Sequence, residues 1–256
     1  MNTKILWLLK NSINSKLAIF TLSLLLTVTP LALAKYKPPK DQRPPGGYTS
    51  TTGSRGGCEA MGTTLLTVLA PQAHIGQTAT SHPTFAWFVP NFSSLPMEFT
   101  LYTYDSSNVP KIAEKIKLQT SPGIMNLSLP KDKPGLTKGQ KYLWQVAILC
   151  DLNHPSNDLV AKAEIEVVEM PKELTKKMPM VRDRLEMTKL FAEAGLWYDA
   201  LATAMITGRR DFVDNLLADL SELEQPEAAK SGSQQSEKLK QILASRQQKQ
   251  TAINSP

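Results

Sequence analysis

The sequence predicts a mainly β fold with a helical appendix: a seven-stranded antiparallel β-sandwich of the immunoglobulin or fibronectin kind, followed by a small helical region. Three observations carry this expectation. Between residues 58 and 170, short apolar runs recur between turn-rich stretches at the spacing of an all-β sandwich. After Met170-Pro171 the apolar period changes from two to nearly four. Two cysteines, Cys58 and Cys150, stand at the start of that β stretch and at the close of its sixth strand.

Taken in chain order, residues 1–34 carry Lys4, Lys10 and Lys16, no acidic residue, the apolar run LAIFTLSLLLTVT (17–29) and the small-residue sequence Ala32-Leu33-Ala34. This is the pattern of a secretory signal peptide cut after Ala34. An uncleaved anchor would need about 20 apolar residues, and the run is shorter. No cysteine stands beside the cut to take a lipid, so the mature chain is expected to begin at Lys35 with no stable membrane span. Its expected location is the periplasm or the extracellular space. Loss of the three lysines takes the formal net charge from +6 to +3. Lys and Arg are interleaved with acidic residues and form no basic block, so nucleic acid is not an expected partner.

Residues 35–57 (KYKPPKDQRPPGGYTSTTGSRGG) offer almost nothing to bury and predict a disordered linker. Its end, TTGSRGG, lacks the Gly-Lys-Ser/Thr close of a phosphate loop, and no strand precedes it.

The sandwich domain, 58–170, contains TTLLTVLA (63–70), TFAWFV (84–89), MEFTLYTY (97–104), KIAEKIKL (111–118), GIMNLSL (123–129), KYLWQVAILC (141–150) and LVAKAEIEVV (159–168). Period-two alternation assigns the faces. In the sixth strand Tyr142, Trp144, Val146, Ile148 and Cys150 point inward. In the seventh Ala161, Ala163, Ile165 and Val167 do so, leaving Lys162, Glu164 and Glu166 outward. LTKGQKY (136–142) places Leu136 six residues before Tyr142 at a strand start, which resembles a tyrosine corner and makes Tyr142 structural.

Oxidising surroundings make a Cys58–Cys150 disulfide the expectation. Strand one starts at the pole where strand six finishes, so the two cysteines should meet. In the chain-entropy model, closing a loop that long stabilises by about 4–5 kcal/mol. A reactive or metal-binding pair lacks support, since neither Cys lies in a Cys-x-x-Cys or beside a His.

HPTFAWFVP (82–90) sets Phe85, Trp87 and Val89 on one face and Phe88 on the other. If the second and third strands are neighbours, Phe88, Tyr102 and Tyr104 form an exposed aromatic patch. Three uses stay open for it: cover by the C-terminal helices, docking of a partner protein, or stacking on a sugar.

The helical region, 171–224, predicts a helix over 179–194 from Pro179 to the stop at Gly195, a second over 196–207, and a third after the N-cap Asp211. AGLWYDALA has the spacing of one tetratricopeptide unit, but a single copy cannot bury its faces as a solenoid. Residues 225–256, rich in Gln, Ser, Lys and Glu, predict a mostly disordered tail. Within it, EKLKQILASR (237–246) can form an amphipathic helix that folds on a partner.

The blocks RGGCE (55–59), HPTFAWFVP (82–90), SPGIMNLSLP (121–130), LTKGQKYLWQVAILC (136–150) and GLWYDAL (195–201) together resemble the cyanobacterial exported family known as domain of unknown function nine-two-eight. The resemblance implies an exported protein and transfers no catalytic residue.

Nothing in the residues points to catalysis, and no cofactor is expected. His74, His82 and His154 each stand in a loop, none at ligand spacing from another ligand, and no Gly-x-Ser-x-Gly elbow occurs. The leading expectation is a non-enzymatic interaction module with an envelope protein as partner. The alternatives are a carbohydrate-binding module that uses the aromatic patch on a polysaccharide, and an unrecognised hydrolase.

Overall fold

The computed structural model describes residues 35–40, 45–46, 51–52, 58, 66–90, 94–151, 153–231 and 233–254. The predicted signal peptide, its cut and residues 63–65 of the first predicted strand lie outside them.

Nine strands are present: β1 (Thr51–Thr52), β2 (Thr67–Val68), β3 (Gly76–Thr78), β4 (Thr84–Val89), β5 (Pro96–Tyr104), β6 (Pro110–Gln119), β7 (Gly123–Ser128), β8 (Lys141–Ile148) and β9 (Leu159–Val167). Five helices follow: α1 (Lys172–Lys177), α2 (Arg184–Glu193), α3 (Trp197–Ile206), α4 (Arg210–Ser231) and α5 (Gln235–Asn254). Helix outweighs strand, so the class is mixed α and β rather than mainly β. Among the described residues no helix is long and apolar enough to cross a membrane.

The larger sheet runs β1-β9-β8-β5-β6, and the smaller runs β2-β4-β7. All pairs are antiparallel except β3, which lies parallel to β9 beside Ile165–Val167. The sequence offered no signal for β3: GQT is too short and polar to show a period.

The two sheets face each other through aromatic rings. Phe85 of β4 lies 4.9 Å from Phe99 of β5 and 5.2 Å from Trp144 of β8, measured between ring centroids. All three are fully buried, and they bury large apolar area that a pleated surface presents in register. Cys58 and Cys150 form a disulfide with Cα atoms 5.0 Å apart. At the head of β8 the Tyr142 hydroxyl accepts the Thr137 N–H at 2.9 Å, over a buried Leu136.

The helices are no appendix. Leu196, Trp197 and Tyr198, at the start of α3, are buried in one cluster with both sheets. Tyr198 lies between the two sheets: its hydroxyl accepts the Trp144 indole N–H at 2.8 Å and donates to the Glu164 carbonyl at 3.0 Å. Gly76 in β3 is where this ring enters, for a Cβ there would stand 2.8 Å from Tyr198 Cε2. Helix α1 with its 3₁₀ turn and α2 replace the single predicted helix at 179–194, because Asp183 caps a fresh start by accepting the Leu185 N–H.

Two segments expected to be disordered carry structure. The tail is helical to Asn254, and α5 buries Leu239 and Ile242 against the protein's own core rather than awaiting a partner. At the other end Tyr36 is 1 % exposed, so the linker reading fails for residues 35–40. Composition averages over a segment and misses one aromatic ring that finds a pocket.

Candidate binding groove and the buried polar seam

The predicted patch does not assemble. β4 and β5 belong to different sheets, and Phe88 is 7 % exposed, buried in the cluster that also takes in Leu217, Leu239 and Ile242. Tyr102 and Tyr104 lie half-buried on the outer face of the larger sheet. The Tyr104 hydroxyl donates to Glu164 Oε1 at 2.5 Å, and the Gly46 N–H donates to Oε2 of the same carboxylate at 3.0 Å. Glu164 and Glu166 therefore point away from the sheet interior, as alternation requires, yet are buried instead of solvated. The reason is cover by other chain segments: Gly46 over Glu164, and the Gln77 amide on Glu166.

A groove of about 610 Å³ lies between residues 37–40, α1 and α2. Pro38, Pro39, Pro171, Leu174, Leu190 and Ala194 give it apolar walls; Lys37, Lys40, Lys177, Glu173 and Glu193 stand around them. Proline fixes one wall, since the Pro38-Pro39 pair has little backbone freedom to lose. The turn at Gly195 lets this wall approach. Its φ is +80°, and a Cβ would stand 3.2 Å from the Lys37 carbonyl oxygen and from the Pro39 nitrogen. No Ser, Thr, Cys or His lines the groove among the described residues. Its chemistry suits an apolar segment with charged flanks.

The unusual titratable groups lie elsewhere, in a seam between the helices and the chain from Leu66 to Thr80. This chain is largely irregular and buried, so its backbone groups need partners other than a ladder. Side chains from the helices supply them. Glu224 of α4, fully buried, accepts the N–H groups of Gln72 (2.7 Å) and Ala73 (3.1 Å). The Gln235 amide of α5 donates to the carbonyls of Val68 and Ala70, and the Trp197 indole donates to that of Leu69. Asp199 of α3 accepts the Ala79 N–H at 3.0 Å; burial pushes its carboxyl up to about 6, against that bond and one from Thr78. Burial lowers His74 to about 4 and Lys238 to about 8. His74 Nε2 shares a 2.9 Å hydrogen bond with the Tyr36 hydroxyl.

None of these groups lines the groove, and burial among the packed layers is the first cause of each shift. Among the described residues no group of three or more His, Cys, Asp and Glu is arranged to hold a metal ion. His82 bonds Ser81 Oγ and the Lys133 carbonyl, and His154 bonds Asp151, all at exposed turns. Sequence reasoning missed the seam because Asp199 and Glu224 read as ordinary helix-face acids. The one available signal was Asp199 within the otherwise apolar WYDALA.

No curated protein and no solved structure matches the chain. The family model described as Domain of Unknown Function (DUF928) matches residues 50–225, which spans the disulfide, both sheets, most of the seam and two of the groove's three walls, and the chain belongs to that family.

Proposed function

We propose that the chain is an exported, non-enzymatic interaction module of the cell envelope, in the cyanobacterial setting that the sequence resemblance implies. On this reading the facing sheets are an immunoglobulin/fibronectin-like sandwich, and the helices brace it while carrying the groove that receives a protein partner. The groove is the observation that carries the reading: apolar walls, a charged rim and no hydroxyl, thiol or imidazole among the described lining residues. A disulfide between distant cysteines suits an oxidising compartment, and with it the signal-peptide reading of residues 1–34. The carbohydrate alternative needs an exposed row of rings, which the burial of Phe88 and the engagement of Tyr104 by Glu164 interrupt.

The test is affinity capture from envelope extracts with the mature chain, beside a Lys40→Glu/Lys177→Glu/Leu190→Asn variant whose fold is verified by circular dichroism. Retention of a defined protein by wild type and its loss by the folded variant supports the groove. Equal retention by both moves the contact elsewhere, and retention of cell-wall polysaccharide alone overturns the protein-binding reading.

A further inference from the structure

The first six residues after the predicted cut form a docked strap, and the contacts at its start are carboxylates. The Tyr36 N–H donates to Asp219 Oδ2 at 2.9 Å, and Lys35 Nζ lies 3.1 Å from Glu222 Oε2, both on α4. Beyond this end the Tyr36 ring is 1 % exposed, edge-on to Trp197 at 4.9 Å and bonded to His74. The Lys37 N–H donates to the Ala192 carbonyl at 3.0 Å, and the strap then crosses Gly195 and forms one wall of the groove.

Covalent geometry places consecutive backbone nitrogens less than about 3.8 Å apart, so the nitrogen of Lys35 lies within roughly 7 Å of the Asp219 carboxylate. In the uncut chain that nitrogen is a neutral amide. Cleavage after Ala34 turns it into an ammonium near two carboxylates, Asp219 and Glu222, beside which the Lys35 side chain already stands. Burial already holds Asp219 above the usual carboxylate range, while the Tyr36 N–H and Lys35 pull the other way.

We propose that removal of the leader strengthens the fold: the new α-ammonium of Lys35 pairs with Asp219 and Glu222 and holds the Lys35–Lys40 strap, one wall of the binding groove, more firmly than the uncut chain does. The inference rests on the export reading, and in particular on the cut after Ala34. It gives that cut a physical consequence. The uncut chain already docks the strap but is the less stable one, which suits a polypeptide that must cross a membrane unfolded.

The experiment compares a chain that begins at Lys35 with one that begins at Leu33-Ala34, each with and without Asp219→Asn. Asparagine keeps an oxygen for the Tyr36 N–H and removes only the charge. At low salt the Lys35 chain should melt about 2–6 °C higher than the extended one, a gap typical of one partly buried ion pair in a domain of this size. Asp219→Asn should remove most of that gap. The α-amino group has an ordinary value near 8, raised by pairing, so the gap is full below pH ~8 and is lost as pH rises past it. The charged groups that face this terminus are Asp219, Glu222 and the Lys35 side chain, with Glu224 and His74 deeper beside Tyr36. Equal melting of the two chains, or a gap untouched by Asp219→Asn, overturns the proposal. Intact-mass measurement of the chain recovered after export separates the two readings: a start at Lys35 upholds the export reading whatever the melts show, and any other start removes the basis of both.

Discussion

The space between the two sheets and the seam between sheets and helices both take fully buried side chains, and they are held by different means. Between the sheets the contacts are Phe85, Phe99, Trp144, Val146 and Ile165, close-packed and almost without polar atoms. In the seam, Asp199, Glu224, Gln235, Trp197 and Tyr198 hydrogen-bond backbone N–H and C=O groups, Glu224 and Gln235 with two each. The difference teaches what each region specifies. Apolar packing tolerates changes that conserve volume, whereas a buried polar contact fixes one register and leaves a costly orphan when either side is lost.

The strongest test of that contrast is Glu224→Leu. It takes from the half-buried Gln72 and Ala73 N–H groups the buried carboxylate that accepts them, and should cost about 3 kcal/mol in urea unfolding. Ile165→Val, fully buried between the sheets, should cost about 1 kcal/mol. Equal costs would mean that the seam is held by its apolar members alone.

The second test uses pH. Asp199, raised to about 6 from an ordinary 3.8, binds a proton in the fold that the unfolded chain releases, so its contribution falls as pH rises from about 4 to 6. His74, lowered to about 4 from 6.5, is held neutral in the fold, so its contribution rises with pH over about 4 to 6.5. The two slopes oppose each other and hide one another in the wild type. Asp199→Asn should therefore gain on wild type by about 2–3 kcal/mol between pH 4 and 6.5, and His74→Gln should lose by a comparable amount. Thermal melts of both variants at pH 4, 5, 6 and 7 check the signs. Parallel curves would show that neither group titrates within the seam.

The same contrast explains what was legible in the sequence. Strands β4 to β9 are each marked by β-branched and aromatic residues between turn residues, so their spans can be read within a residue or two, and with them the meeting of Cys58 and Cys150. Helix α3 shows itself through Gly195, its apolar stretch and Gly208. The seam is not legible, because its information lies in pairs. Nothing about Glu224 alone distinguishes it from the solvated Glu222 two residues earlier, and only the approach of Gln72 and Ala73 makes it a core residue. The strap was missed for a related reason: Tyr36 stands in a segment whose average composition has no reason to fold, and its pocket is built by Trp197, His74 and Ala192 far along the chain. Helix α5 follows the same logic, since its sequence is polar on average and yet Gln235, Ser236, Lys238, Leu239 and Ile242 find buried places.

The smallest and cleanest comparison sets one phenolic oxygen in each setting against the other. The Tyr142 hydroxyl accepts a single N–H from five residues upstream, near the surface, and belongs wholly to the turn that leads into β8. The Tyr198 hydroxyl is fully buried and has two partners, one a side chain of β8 and the other a carbonyl of β9, so it ties α3 to the middle of the larger sheet. Tyr142→Phe should cost about 1 kcal/mol, since water can reach the freed N–H of Thr137. Tyr198→Phe should cost about 2 kcal/mol, because the Trp144 indole N–H and the Glu164 carbonyl both lose this partner where it is fully buried. Hydrogen exchange then shows where each loss falls. Removal of the Tyr198 hydroxyl should speed exchange in α3 and at Trp144, whereas removal of the Tyr142 hydroxyl should confine the change to residues 136–142. Fast exchange in α3 from the Tyr142 variant would mean that turn and seam unfold as one unit, and the distinction between the two regions would fail.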